Sequence, residues 1–176
     1  MIVTRLEVGD PKIHNLTLRP SEPKDAAQAV EWLNEPVSAA LFLMDWKPTA
    51  EQYAEMIRLS PETEGKYSWM IYLGDEHVGL LTVRGVNTDI GVGEPLIMIG
   101  PAYRGRGIAT AALRAVGTYM FHDRRIALLH VTVRKDNLAS IRVMEKVGFK
   151  EWEGSPALFA RYEETYVEVW EGYLPR

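Results

Sequence analysis

The stretch YRGRGIATAALRAV, Tyr103 to Val116, sets Arg104, Gly105, Arg106 and Gly107 directly before a run with helical periodicity. A helix that opens after a strand exposes its first N–H groups, and its macrodipole adds about half a positive charge at that end. Glycine lets the backbone approach an anion without a Cβ and tolerates positive φ, while arginine adds charge-assisted hydrogen bonds to phosphate oxygens. The junction therefore has the chemistry of a phosphate cradle. Two glycines would equally serve a surface turn with backbone needs alone, so the pattern requires independent support.

Two familiar phosphate loops fail against it. A Walker loop needs G-x-x-x-x-G-K-[ST], and no lysine followed by serine or threonine stands near this turn. The dinucleotide fingerprint G-x-G-x-x-G would start at Gly105, but position 110 is Thr110.

The elements that must position this junction are legible on both sides of it. Upstream, LTLRP (Leu16 to Pro20) alternates like a half-buried strand, and Ser21 precedes a helix-forming run with Ala26, Ala27, Val30, Trp32 and Leu33 that stops before Pro36. TAEQ from Thr49 is a capping box opening a second helix that ends near Ser60-Pro61. YSWMIYL and HVGLLTVRG, joined by GDEH, form a hairpin, and after the turn formers Asn87 and Asp89, EPLIMIG reads as a fourth strand. Downstream, Ile108, Ala109, Ala112, Leu113, Val116 and Met120 recur at helical spacing. RIALLHVTVRKDN contains a fifth strand, Asn137 caps the next helix, and Gly148 closes it. FKEWEG and ETYVEVWEGYL are strand-like, joined by a loop around Ser155-Pro156. The order is β α α β β β α β α β β without repeats or linkers, which predicts one α+β domain, 1–176, with about seven strands and helices on both faces of the sheet.

Composition removes several function classes. The 176 residues suit a single core, and a formal net charge of -4 offers no general basic field for nucleic acid. With no cysteine, disulfides, thiolate metal sites and a cysteine nucleophile are excluded. His14, His77, His122 and His130 have no ligand spacing, so no metal is expected. MIVTRLEVGD does not read as a signal peptide and no window approaches a membrane span, so a cytoplasmic location is expected.

A third pattern does fit the turn. R/Q-x-x-G-x-G/A is satisfied by Arg104, Gly107 and Ala109, and it resembles the acetyl-CoA pyrophosphate loop of the GNAT superfamily of N-acetyltransferases. NLASIRVMEKVGF, Asn137 to Phe149, resembles the second signature of that superfamily, and LTLRPSEPKDAAQAVEWLNEP is similar to the opening of its Rim-type branch, the ribosomal-protein alanine acetyltransferases and some aminoglycoside acetyltransferases.

The resemblance implies a mixed, mostly antiparallel sheet whose fourth and fifth strands splay to admit the pantetheine arm of acetyl-CoA. Met98 and Ile99 would hold the arm, Arg104, Gly105, Arg106, Gly107, Ile108, Ala109 and Thr110 would wrap the pyrophosphate, and Asn137 would bind the arm from the fifth strand. The acetyl group would pass directly to a primary amine in a ternary complex, with a base taking the amine proton and an acid protonating the leaving thiolate. Many members place a tyrosine acid seven residues after the motif asparagine, where this chain has Met144; the Rim-type serine three residues after it matches Ser140. Ser140 is thus the implied acid, or a local cap of its helix. Glu94 is the implied base, acting through water, or a solvated strand end. Trp32, Phe42, Asp45 and Trp46 would line the acceptor site, or simply pack. The acceptor would be a protein amino terminus, a polyamine-like amine or an aminoglycoside, and dimers are common in the superfamily. A different class stays open on Met144: a module that holds acyl-CoA without turnover.

Overall fold

The computed structural model describes residues 3–42, 47–59, 65–152, 158–162 and 165–176, with side chains left aside at 158–162 and 165–168. Nine strands are found among these residues: β1 (Leu6–Glu7), β2 (Leu16–Pro20), β3 (Tyr67–Leu73), β4 (Glu76–Asn87), β5 (Val92–Ile99), β6 (Leu128–Arg134), β7 (Lys150–Glu151), β8 (Leu158–Tyr162) and β9 (Thr165–Pro175). They form one sheet in the order β1-β2-β3-β4-β5-β6-β9-β7, with β8 also paired to β9. Every pairing is antiparallel except β5 with β6. The fourth and fifth strands of the sequence reading are therefore β5 and β6, because the two-residue β1 precedes the first expected strand. LFARY, β8, pairs with β9 where a loop is expected, and Ser155-Pro156 lies outside the described residues.

Five α-helices are described: α1 (Ala26–Leu33), α2 (Pro36–Leu41), α3 (Ala50–Leu59), α4 (Ile108–His122) and α5 (Leu138–Val147). α3 opens on the expected box, with Gln52 N–H donating to Thr49 Oγ1 at 3.2 Å and Thr49 N–H to Gln52 Oε1 at 2.9 Å. α1 departs from expectation at its start. Ser21 does not cap it; a 3-10 turn, Pro23–Asp25, intervenes, and Glu22 N–H donates to Asp25 Oδ2 at 2.8 Å. Pro36 ends α1 as expected, yet it also begins α2, because a proline at the first helical position loses only an N–H that would have no intrahelical acceptor.

Alternation along the strands builds two cores, one on each face. Tyr67, Trp69 and Ile71 of β3 pack with Leu16, Leu18 and the α4 residues Ile108, Ala112, Val116 and Met120. Met70 and Tyr72, between and beyond them, point the other way and join Leu80, Met98, Ala29, Trp32 and Leu33. The period-2 register of a strand makes both faces apolar, so β3 reads as a nearly continuous hydrophobic run. Helices thus cover both faces, α4 and α5 one and α1 the other.

Candidate functional site

β5 and β6 meet for only two residue pairs, Val92 with Leu128 and Gly93 with Leu129, and then separate. The reason is in the sequence. Ladder geometry between β4 and β5 settles which way each β5 peptide turns: Gly100 N–H donates to Val78 O at 2.9 Å, and a Cβ on Gly79 would come 2.5 Å from Met98 O. Even-numbered residues from Glu94 onward therefore turn their polar backbone toward β4, and Pro95, Ile97 and Ile99 turn theirs toward β6. The next donor that a β5–β6 ladder needs after Gly93 would come from position 95, and a proline has none. Pro95 is tolerated inside a central strand because this edge opens into a gap.

The gap is a cleft lined by Leu41, Phe42, Pro95, Leu96, Ile97, Val131, Thr132, Val133, Asn137, Ser140 and Met144. It brings together three residues singled out from the sequence, Phe42, Asn137 and Ser140, with the backbone edge of β5. Asn137 caps α5, its Oδ1 accepting the Ser140 N–H at 3.1 Å. The cap uses the backbone of Ser140, so the Ser140 hydroxyl is not needed for the local role weighed against it. Met144 is 3% exposed and forms part of the cleft wall.

At the far end of β5 the chain passes through a 3-10 turn, Pro101–Tyr103, into the glycine junction. Gly105 has φ +77 and Gly107 φ +80, conformations open to glycine and strained for other residues. Gly107 is the N-cap of α4, and the first intrahelical bond runs from Ala111 N–H to Gly107 O at 3.1 Å. The N–H groups of Gly107, Ile108, Ala109 and Thr110 are thus the leading amides of a fifteen-residue helix, and no side chain caps them. Ile108, 2% exposed, anchors that end in the core. An anion placed here meets the positive end of the α4 dipole.

The structure places the other candidate residues as follows. Met98 does not present its backbone to the cleft: its carbonyl faces β4 and its side chain is buried against Trp32, leaving Ile97 and Ile99 as the edge residues. Trp32 is absent from the cleft wall and 6% exposed; a Cβ on Gly100 would meet its ring at 2.9 Å, so it is packing. Arg104 folds its side chain back onto the protein. Its Nε donates to Ile99 O at 3.0 Å and one terminal nitrogen donates to Ser38 Oγ at 2.8 Å. Arg106 folds back similarly, donating to Ala102 O at 3.1 Å and lying over the Tyr103 ring. Both guanidinium groups thus have protein partners, while no side chain caps the leading amides of α4. Asp45 and Trp46 fall outside the described residues.

Glu94 lies on β5 facing the α1 side, and its Oε2 accepts from Arg84 Nε at 2.7 Å across the β4–β5 ladder. The carboxylate is 14% exposed, so it is a paired, half-sheltered group and not a solvated strand end. Sequence reasoning missed Glu35 and Ser38. Glu35 caps α2, accepting from the N–H groups of Val37 and Ser38, and also takes the Ser38 hydroxyl at 2.6 Å. The Ser38 hydroxyl, followed by the two amides, holds the Glu35 carboxyl below its ordinary range. Glu35 followed by Pro36 is the signal that would have located this cap.

The family model for the acetyltransferase (GNAT) domain matches residues 15–150. The chain belongs to the GNAT acetyltransferases. It is 28% identical over 149 residues to spermidine N(1)-acetyltransferase of Escherichia coli K12, covering 79% of this chain and 75% of that one. Spermidine N-acetyltransferase from Vibrio cholerae, solved with CoA and spermine, superposes with a TM-score of 0.83 at 18% identity, over 92% of this chain and 95% of that one. The Salmonella typhimurium acetyltransferase that modifies the N-terminal serine of ribosomal protein L7/L12 gives 0.83 at 17% identity, over 98% and 99%. As a GNAT enzyme the chain is an acetyl-CoA-dependent N-acetyltransferase, and its residues fit that co-substrate: a strand edge unpaired with β6 at Ile97 leads, past the Ile99 carbonyl held by Arg104, to the uncapped amides of α4. Among the described residues no helix is long and apolar enough to cross a membrane.

Proposed function

We propose that the whole chain, 1–176, is one domain that acetylates the amino terminus of a protein, by direct attack of the amine in a ternary complex. The observation that carries this reading is the cleft itself: Phe42, Asn137 and Ser140 line it together with residues of β5 and β6, and no carboxylate stands among the described lining residues. An apolar wall suits the first residues of a peptide better than a polyamine dication, which would demand paired acidic groups.

Bound acetyl-CoA supplies a thioester, an electrophile with a good leaving group. The chain supplies the rest. Ile97 and Ile99 offer an extended edge to the amide-bearing arm, and the amides of Gly105 to Thr110 with the α4 dipole hold the pyrophosphate. Ser140 polarises the sulfur by a hydrogen bond from its hydroxyl, directly or through water, in the role that Met144 cannot fill. Glu94 receives the amine proton through water on the acceptor side of the sheet. Two copies pair, and the enzyme works in the cytoplasm, where acetyl-CoA is available.

A polyamine acceptor is the second reading, favoured by the similarity to the Escherichia coli spermidine enzyme. A panel containing N-terminal peptides, spermidine, spermine and aminoglycosides, with free thiol release as readout, separates the two. Turnover of a peptide at a kcat/KM at least tenfold above that of any polyamine is the expected result; the reverse order establishes the polyamine. Cofactor retention with no turnover of any acceptor would leave an acyl-CoA-binding module. Light scattering checks the dimer.

A further inference from the structure

α2 is six residues long, too short to hold its shape unaided. It is fastened at both ends by arginines that come from the two sides of the splay. From the end of β5, Arg104 donates to Ser38 Oγ while its Nε holds Ile99 O; the Ser38 hydroxyl in turn donates to Glu35, whose carboxylate stands 3.9 Å from the guanidinium. From the end of β6, Arg134 donates to Ala40 O at 3.3 Å and is held in plane by Asp136 through contacts of 2.9 and 2.6 Å. The helix between these anchors carries Phe42, whose N–H donates to Ser38 O at 2.9 Å and whose side chain lines the cleft.

We infer that Arg104 and Arg134 are positioning residues: they clamp α2 across the mouth of the splay, so that seating CoA in the glycine junction tightens the helix that presents Phe42 to the acceptor. This rests on the proposed placement of the pyrophosphate. Arg104 is the first residue of the junction, and with Glu35 beside it and Ser38 and Ile99 bonded to it, it stays with α2 and leaves the anion to the backbone amides. A substrate that fixes the junction backbone also fixes the root of the Arg104 side chain, and the order passes through Ser38 to the helix. Arg134 resists from the opposite side, because its neighbour Asp136 leads directly to the Asn137 cap, with Asn137 N–H donating to Arg134 O at 2.9 Å.

The test is hydrogen–deuterium exchange of the amides of residues 37–42 in the full chain, with CoA as the added probe. CoA is expected to slow their exchange at least threefold in the wild type. Ser38→Ala, which cuts the relay without touching the junction, should bind CoA no more weakly than the wild type yet lose at least half of that slowing, and Arg134→Gln should do the same from the other side. Full protection in both variants overturns the coupling, as does faster exchange in the wild type, which would mean that the pyrophosphate takes Arg104 away from Ser38. Failure of CoA to bind the wild type overturns the reading beneath it instead.

Discussion

Gly100 lies against the indole of Trp32, so closely that a Cβ at that position would come 2.9 Å from Cε2 and 3.0 Å from Cζ2. The contact joins the end of β5 to α1. Gly100 has φ -53, which any residue can adopt, so its requirement is for space and not for backbone freedom. Gly100→Ala is therefore expected to displace the buried ring and to lower stability by about 1–3 kcal/mol, the usual cost of overpacking. Thermal unfolding checks it, and an unchanged Tm would mean that the indole has room to retreat.

Gly107 poses the opposite case. The nearest atom to a Cβ there is Ile13 Cδ1 at 3.6 Å, so space is available, but φ +80 penalises an L side chain. A non-glycine residue forced into left-handed backbone costs about 1–2 kcal/mol, least for asparagine. Gly107→Val should raise KM for acetyl-CoA about tenfold with little change in acceptor KM, and Gly107→Asn should do so less. Steady-state kinetics with each substrate varied in turn decides; equal effects of the two variants would argue for bulk over strain.

Asn137 and Ser140 can be separated because their bond runs between a side-chain oxygen and a backbone N–H. Asn137→Ala removes the cap and should cost about 1 kcal/mol of stability. Ser140→Ala keeps the cap and should leave Tm within a degree or two while lowering kcat about 100-fold, the scale of general-acid assistance. A Ser140→Ala enzyme with wild-type turnover removes Ser140 from the mechanism.

If Glu94 accepts the amine proton, Glu94→Gln loses at least tenfold in kcat/KM at neutral pH, and the deficit shrinks as pH rises and the acceptor deprotonates without help. A deficit constant across pH would assign Glu94 to the Arg84 pair alone.

Tyr72 predicts an alkaline weakness. Its phenol is buried and lies beside Asp25, and burial first, then the carboxylate, pushes its pKa from near 10 up to about 12. The folded chain keeps that proton where the unfolded chain releases it. The stabilisation is complete below pH 10 and is lost as pH rises from 10 through 12, with a slope of up to about 1.4 kcal/mol per pH unit. Tyr72→Phe should flatten this part of the stability profile in urea titrations, whatever its cost at neutral pH; an unaltered profile would assign the weakness to another group.

How far the site could be read from residues alone varied with the kind of interaction. Asn137 and Gly148 at the two ends of α5, and Thr49 with Gln52 at the start of α3, are local devices with local signatures, and the structure places them as expected. The glycine junction was legible for the same reason: positive φ at 105 and 107 is a backbone need that only certain residue types satisfy. What escaped was direction. A sequence shows that Met98 and Ile99 share a strand but not which of them turns toward the open edge, because one residue of register reverses every peptide. The motif shows where the backbone of Arg104 lies but not what holds its side chain, because that partner, Ser38, is 66 residues away. Trp32 reads equally as lining or as packing, and only the contact with Gly100 shows what its ring rests on. Long-range contacts of this kind have no periodicity to betray them.

Pro95 carries one more implication. Two strands that part in the middle of a sheet leave unsatisfied edges, and such edges invite the addition of a foreign strand, the first step toward aggregation. Between turnovers, the cleft is a template of this kind. By withholding a donor at the point where pairing would resume, Pro95 makes that template a poor one. The residue that ends the pairing of β5 with β6 thereby also discourages pairing with a foreign strand.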